Sequence, residues 1–372
     1  MITTIDVGGA EVQLLALATR QVETGNTVTV IPVKGKSELA PNFASVGVEV
    51  NLSMVDQNLV EQYLWLRKFL MENEFDVIHG HLPRAQILTV YASRDYKKVV
   101  LSRHDAMPFI SKFPMWLSNV VWKNVQKRSR STIVISSAIC REMIGRSEIE
   151  KESEVTVIHY GIPTSFSSSS LTQTDFWPTV ISKVDEDVFI FGTVSRFVQE
   201  KNLQILLKAF ALVRKQNVSS ILIIVGYGPL ESQLKSLAKD LMVDEHVYFV
   251  GKQKNVYDFL TKMDSFILPS TTEGFGLVLL EAMSANLPII ASEVDAIPEV
   301  LGESTGLLFQ PDNLDELVRL MLLVTNPSVN QSLRAASSDR VKEFSIEKSE
   351  QKIMMVYKGT ERKSISHTDI VG

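Results

Sequence analysis

Short runs of apolar, mostly β-branched residues recur along the chain, separated by longer stretches whose apolar positions follow a helical period. Residues 28–33, 77–79, 99–102, 133–136 and 155–159 read as buried strands in the first half. Residues 188–194, 221–225, 247–250, 265–268 and 289–291 do so in the second, and 11–25, 58–73 and 203–216 carry helical patterns. Strands that are apolar throughout are buried on both faces, and their alternation with helices indicates parallel sheets covered on both sides. The rhythm breaks between Gly161 and Asp187, where proline, serine and threonine dominate. The expected organisation is therefore α/β, with two doubly wound Rossmann-like domains, 1–165 and 187–343, joined by a linker at 166–186. A last helical pattern at about 344–358 is expected to cross back to the first domain. Open α/β sheets bind ligands beyond the carboxyl ends of their strands, so two such sheets would face each other across a ligand cleft.

Composition narrows the class. A length of 372 residues suits two domains, and 45% apolar with 22% charged residues is an ordinary globular mixture. A net charge of −5 argues against a nucleic-acid partner, whose binder would be strongly basic. The lone Cys140 provides no disulfide framework and points to a reducing, cytoplasmic setting. Neither a signal peptide nor a run of about 18 apolar residues is visible.

The strongest chemical signal is Glu273-Gly-Phe-Gly276-Leu-Val-Leu-Leu-Glu281, which follows an apolar strand and opens a helix. Gly274 and Gly276 allow the backbone near a ligand, and the free amides of a helix start suit a phosphate. If both glutamates lie in that helix, they stand about 12 Å apart along its axis. That exceeds the roughly 5–9.5 Å used by paired carboxylates in glycoside hydrolysis, so separate tasks are expected. Taken singly, Glu273 would be a helix cap and Glu281 a surface charge. Arg196 and Lys201 follow the strand at 188–194, where a guanidinium and an ammonium could stabilise a departing diphosphate.

Together these segments resemble the retaining glycosyltransferases of family 4, which adopt the GT-B fold. Glu273 and Glu281 match that family's Glu-x7-Glu motif, Gly8-Gly9-Ala10-Glu11 its glycine loop, and Ser195-Arg196-Phe-Val-Gln-Glu-Lys201-Asn its phosphate-binding segment. Gly226-Tyr-Gly228-Pro229, Val247–Gly251 and Ile297-Pro298-Glu299-Val300 follow in family order. The resemblance implies a nucleotide diphosphate sugar as donor, no metal or other cofactor, and a saccharide or polyprenyl-linked acceptor. It places Arg196 and Lys201 on the diphosphate, Glu281 on the ribose, and Glu273 and His104 near the sugar. Gly8, Gly9, Phe275, Gly276 and Leu277 would face the phosphates. The same fold also serves nucleotide-sugar 2-epimerases and could serve a non-catalytic sugar-nucleotide binder, but the charged set favours transfer.

Weaker features remain. Gly8-Gly9 read alone is a tight turn before a helix at Glu11, and Gly226-Tyr-Gly228 lacks the third glycine of a dinucleotide fingerprint. His79-x-His81 suggests a metal pair, but no third ligand is near in sequence, and a wall feature is the better reading. Asp185-Glu-Asp187 reads as a solvated charge cluster rather than a metal motif. Asp295-Ala296 stands where the family often has two glycines, which puts the sugar pocket in question. Finally, 94–130 carries nine Lys or Arg against two Asp, interleaved with large apolar residues around Trp116 and Trp122. Such a mixture suits an anionic membrane surface, although Trp116, Leu117 and Val120 could equally face a core.

Overall fold

In the computed structural model the described residues are 1–163, 188–216, 218–253 and 255–359. The chain forms two compact units, one of Met1–Pro163 with Phe344–Gly372, the other Thr164–Glu343. The expected linker at 166–186 and the Asp185-x-Asp187 cluster lie outside the described residues.

The first unit runs α1 (Gly9–Glu23), β1 (Thr29–Val30), α2 (Ala40–Ser45), β2 (Glu49–Val50), α3 (Leu59–Glu72) and β3 (Ile78–His81). It continues through α4 (Pro83–Ala92), β4 (Val99–Arg103), α5 (Met115–Lys127), β5 (Ser131–Val134), α6 (Ser137–Gly145) and β6 (Thr156–Val157). The α3 start shows how sequence sets a boundary. The Asn58 side chain accepts from the amides of Val60 and Glu61, while the Glu61 carboxylate takes the Asn58 amide in a reciprocal cap. Strands β3 to β6 form a four-stranded parallel sheet, and β1–β2 a separate parallel pair. Ile2 joins them, bridging Pro32 on one side and His81 on the other. The expected strand at 28–33 is thus regular only over Thr29–Val30, because its inner neighbour offers a single bridging residue.

The second unit contains β7 (Phe189–Val194), α7 (Leu203–Lys215), β8 (Ser220–Val225), α8 (Glu231–Asp240), β9 (Val247–Gly251), α9 (Tyr257–Leu260) and β10 (Ser265–Leu268). It goes on through α10 (Leu277–Ser284), β11 (Ile289–Ser292), α11 (Ile297–Leu301), β12 (Gly306–Phe309), α12 (Leu314–Val324) and α13 (Pro327–Arg340). Its six strands are all parallel, in the order β12-β11-β10-β7-β8-β9. That is the doubly wound Rossmann order, whose direction reverses between β7 and β10. Every residue of β8, β10 and β11 is buried, as strands sandwiched between helices must be. Phe191, Phe210, Leu222, Ile267, Leu317 and Met321 belong to the core on one face of that sheet.

The final helix, α14 (Ile346–Lys358), returns to the first unit. Ile346, Ile353 and Val356 bury against Leu17, Val100, Ile133 and Ile158, and Ser345 bridges Ile162. The second unit thus carries one parallel sheet and the first a four-stranded parallel sheet with a two-stranded pair beside it.

Candidate functional site

Three loops leave the carboxyl ends of β7, β10 and β11 in the second unit. The first two flank the reversal point, where open α/β sheets place their ligands. The β7 loop carries Arg196 and Lys201. Phe197 between them is buried; its amide donates to Tyr227 O at 2.9 Å and its carbonyl accepts from Leu230 N at 3.1 Å. Glycine is required opposite. A Cβ at Gly226, where φ is +136°, would stand 1.8 Å from Ser195 O, and one at Gly228 would stand 2.5 Å from Phe197 O. The Gly-x-Gly step is therefore a seat for the Arg196 loop rather than a dinucleotide fingerprint. Arg196 itself is exposed, and its guanidinium makes no hydrogen bond or ion pair among the described residues.

The β10 loop closes against the first. Thr271 N donates to Glu200 O at 2.8 Å, and the Lys201 ammonium is paired with the Glu273 carboxylate, both side chains largely buried at 18% and 14% exposure. Glu273 is not helical. Gly276 takes a left-handed φ of +81° as N-cap, and α10 begins only at Leu277. The helical spacing expected between Glu273 and Glu281 therefore does not hold, since a loop and a glycine kink separate the first glutamate from the helix. Phe275 is buried, and among the described residues no side chain caps α10; Leu279 N turns back to Gly276 O at 2.8 Å, which leaves the amides of Leu277 and Val278 for an anion. Glu281 follows in this helix. Its carboxylate has no hydrogen bond or ion pair among the described residues, and burial raises its pKa to about 7.

Asp295 lies on the β11 loop, where the resemblance leads one to expect a glycine. Its carboxylate accepts from Thr272 Oγ1 at 2.6 Å and from the Glu273 amide at 2.7 Å. No sequence signal pointed to this contact beyond the departure from the family's glycines.

In the first unit the glycine reading needs correction. Gly8 is the extended N-cap of α1 and Gly9 its first residue, so the helix starts two residues before Glu11 and the bend that precedes it lies over residues 6–8. Nearby, His104 joins a histidine–tyrosine network. Its Nδ1 lies 2.5 Å from Tyr160 Oη and its Nε2 2.9 Å from His81 Nδ1. His79 bonds Tyr357 of α14 through Nδ1 at 2.7 Å and Ser102 through Nε2 at 2.8 Å, and its ring lies tilted by 37° against that of His81, centroids 4.0 Å apart. Burial lowers His104 to about 3 and drives His79 and His81 well below 6.5, so all three are neutral. They line a pocket with Gln13 and Leu14 of α1 and Ile353 of α14. Both ring nitrogens of His104 are occupied, so it can meet a sugar only by exchanging one of these bonds. Among the described residues no group of three or more His, Cys, Asp or Glu is arranged to hold a metal ion.

The basic segment divides. Arg103 does not belong to the surface: it is buried, paired with Glu148 at 3.1 Å, donating to Met107 O at 2.6 Å and lying over the rings of Phe109 and Trp122. Trp122 is core as well. Trp116 and Val120, in contrast, are 68% and 50% exposed, beside exposed Met107, Phe113 and Met115. Among the described residues no helix is long and apolar enough to cross a membrane.

Comparison with known proteins agrees with this arrangement. The family model for glycosyltransferase family 4 matches residues 7–166, and that for glycosyl transferases group 1 matches 179–341. The chain is 35% identical over 166 residues to an N-acetyl-alpha-D-glucosaminyl L-malate synthase of Bacillus anthracis, a match covering 41% of this chain and 43% of that protein. It is 21% identical over 338 residues to the phosphatidylinositol N-acetylglucosaminyltransferase GPI3 subunit of Saccharomyces cerevisiae, covering 87% of this chain and 72% of the other. The crystal structure of Anabaena Alr3699/HepE in complex with UDP and glucose superposes with a TM-score of 0.81 at 19% identity, covering 96% and 98% of the two chains.

Proposed function

Since the chain belongs to the family 4 glycosyltransferases, we propose that it moves a sugar, with retention, from a nucleotide diphosphate donor to a saccharide or polyprenyl-linked acceptor. The observation that carries this reading is the pairing of Lys201 with Glu273 across the reversal point of the second sheet. A cation for a leaving diphosphate and an acceptor for sugar hydroxyls stand side by side there, next to the open amides of α10. Arg196, unpaired among the described residues, supplies the second cation, and Glu281 receives the ribose. UDP-glucose, the ligand named for one structural neighbour, is the first donor to try, followed by nucleotide-activated N-acetylglucosamine, the sugar in the names of two relatives.

In this mechanism the C1–phosphate bond breaks and the acceptor oxygen bonds to C1 on the face the diphosphate leaves. The acceptor proton passes to a phosphate oxygen, so no protein base is required. Lys201, held by Glu273, and the exposed Arg196 supply the cationic charge for the leaving group, and transfer should proceed without a divalent ion; loss of activity in EDTA with recovery in manganese would overturn this part. Replacing Arg196 or Lys201 with Ala should lower turnover at least tenfold, because one donor in a preorganised site contributes about 2.7–4 kcal/mol. Wild-type rates in both variants would refute the assignment. The exposed apolar residues of α5 support docking on an anionic membrane surface through the 94–130 segment.

A further inference from the structure

We propose that Asp295 is a positioning residue that fixes Glu273 beside Lys201 and thereby sets which donor sugars the site accepts. The inference rests on the glycosyl-transfer reading above. Asp295 holds a left-handed φ of +45°, a conformation that glycine adopts freely and that aspartate tolerates better than most residues. A side chain persists in such a conformation only when its contacts outweigh the backbone cost. Here one carboxylate oxygen takes both the Thr272 hydroxyl and the Glu273 amide. The next residue completes the clamp, since Ala296 N donates to Glu273 O at 3.4 Å. Both backbone polar groups of Glu273 are therefore held by the segment 295–296, while its carboxylate is held by Lys201.

A glycine at 295 would keep the backbone and lose the acceptor. The Thr272 hydroxyl and Glu273 amide would then turn to water, and Glu273 would be tied only through the long Ala296 bond, the neighbouring Thr271 contact and the ion pair. Charge-assisted bonds to a backbone amide are among the stronger ones available to a loop. Glu273 would keep its chemistry but sample more than one position relative to the sugar, which costs turnover more than binding.

The test compares D295G, D295N and T272V with the wild type on UDP-glucose, UDP-N-acetylglucosamine and GDP-mannose, together with calorimetric binding of UDP and GDP. D295G should lower kcat at least tenfold on the preferred donor and shift the kcat/KM ratio between donors at least fivefold. Its affinity for the bare nucleotide should stay within twofold of wild type. D295N, whose amide oxygen can still accept both bonds, should remain within threefold on every measure, and T272V should fall between. If D295G and T272V keep the wild-type kcat and donor ratio, or if D295N is as impaired as D295G, the positioning role is wrong. If the wild type consumes none of the three donors and binds neither nucleotide, the glycosyl-transfer reading fails, and this inference fails with it.

Discussion

Glu281 and the histidine network respond to pH in opposite senses because burial acts on opposite charges. Burial raises the Glu281 carboxyl from 4.5 to about 7, so the folded state holds a proton that the unfolded chain has lost over that range. Its contribution is harmless below about pH 4.5, turns unfavourable as pH rises, and is fully unfavourable above 7. Glu281→Gln should therefore raise the melting temperature at pH 8, by roughly 2–4 °C for each kcal/mol relieved, and leave it unchanged near pH 4.5. The same variant should weaken UDP or GDP binding about tenfold, since a hydrogen bond to a charged group contributes roughly 1.5–3 kcal/mol. A melting temperature at pH 8 that does not rise would show that the carboxylate is solvated or paired. His79, His81 and His104 behave the other way, because the unfolded chain binds protons near 6.5 that the folded state refuses. Stability from this network is present above that pH and is lost on acidification. The residue-level chemistry was partly readable: Arg196, Lys201, Glu273 and Glu281 stand out because charge follows strands at motif spacing. The bonds of His104 to His81 and Tyr160, and of Asp295 to Glu273, join residues 22 to 56 positions apart and have no local signature.

At the scale of elements, β7 to β11 of the second unit are legible because each is a short run of mostly apolar residues, whereas β12 is not. Its Gly306-Leu-Leu-Phe309 has no β-branched residue and is too short for a period to show. The start of α10 departs from the motif for another reason: Glu273 is followed by Gly274, Phe275 and Gly276, which form helix poorly, and the left-handed turn at Gly276 sets the boundary at Leu277. Elsewhere glycine decides how loops seat on one another. Gly226→Ala would force a Cβ to within 1.8 Å of Ser195 O, a backbone atom that cannot rotate away. It should destabilise the second unit by about 3 kcal/mol and reduce turnover, because the displaced segment carries Arg196. Gly251→Ala is the matched control: φ is +78° there, but a Cβ meets nothing within 4 Å. Only the left-handed strain of about 1–2 kcal/mol should appear in it, with activity retained. Equal urea midpoints for the two variants would remove the packing argument.

For the molecule as a whole, charge and apolar surface are distributed unevenly. The 94–130 segment carries net +7 in a chain of −5, so the remainder is strongly acidic. Arg103 is neutralised inside by Glu148, and Arg128 lies over the rings of Tyr91 and Tyr96, which leaves Lys112, Lys123 and Lys127 as the cations nearest the apolar face of α5. That face is unusual: Trp116 and Val120 are exposed although α5 buries Trp122 and Val125 elsewhere on its circumference. A tryptophan that solvates neither as core nor as polar surface is at home at a lipid–water boundary, and each nearby lysine adds about 1 kcal/mol on an anionic leaflet. The enzyme should float with vesicles containing phosphatidylserine and not with phosphatidylcholine alone, and the binding should fade between about 0.1 and 0.5 M salt. Lys112→Glu with Lys123→Glu should abolish flotation at low salt, and Trp116→Ala should weaken it several-fold without changing its salt dependence, because the two act through different forces. Neither change touches the β7, β10 or β11 loops, so donor hydrolysis in the absence of vesicles should be unaffected. A protein that ignores anionic vesicles even at 50 mM salt, or whose binding survives the charge reversals, would make this face ordinary surface and point to a soluble acceptor.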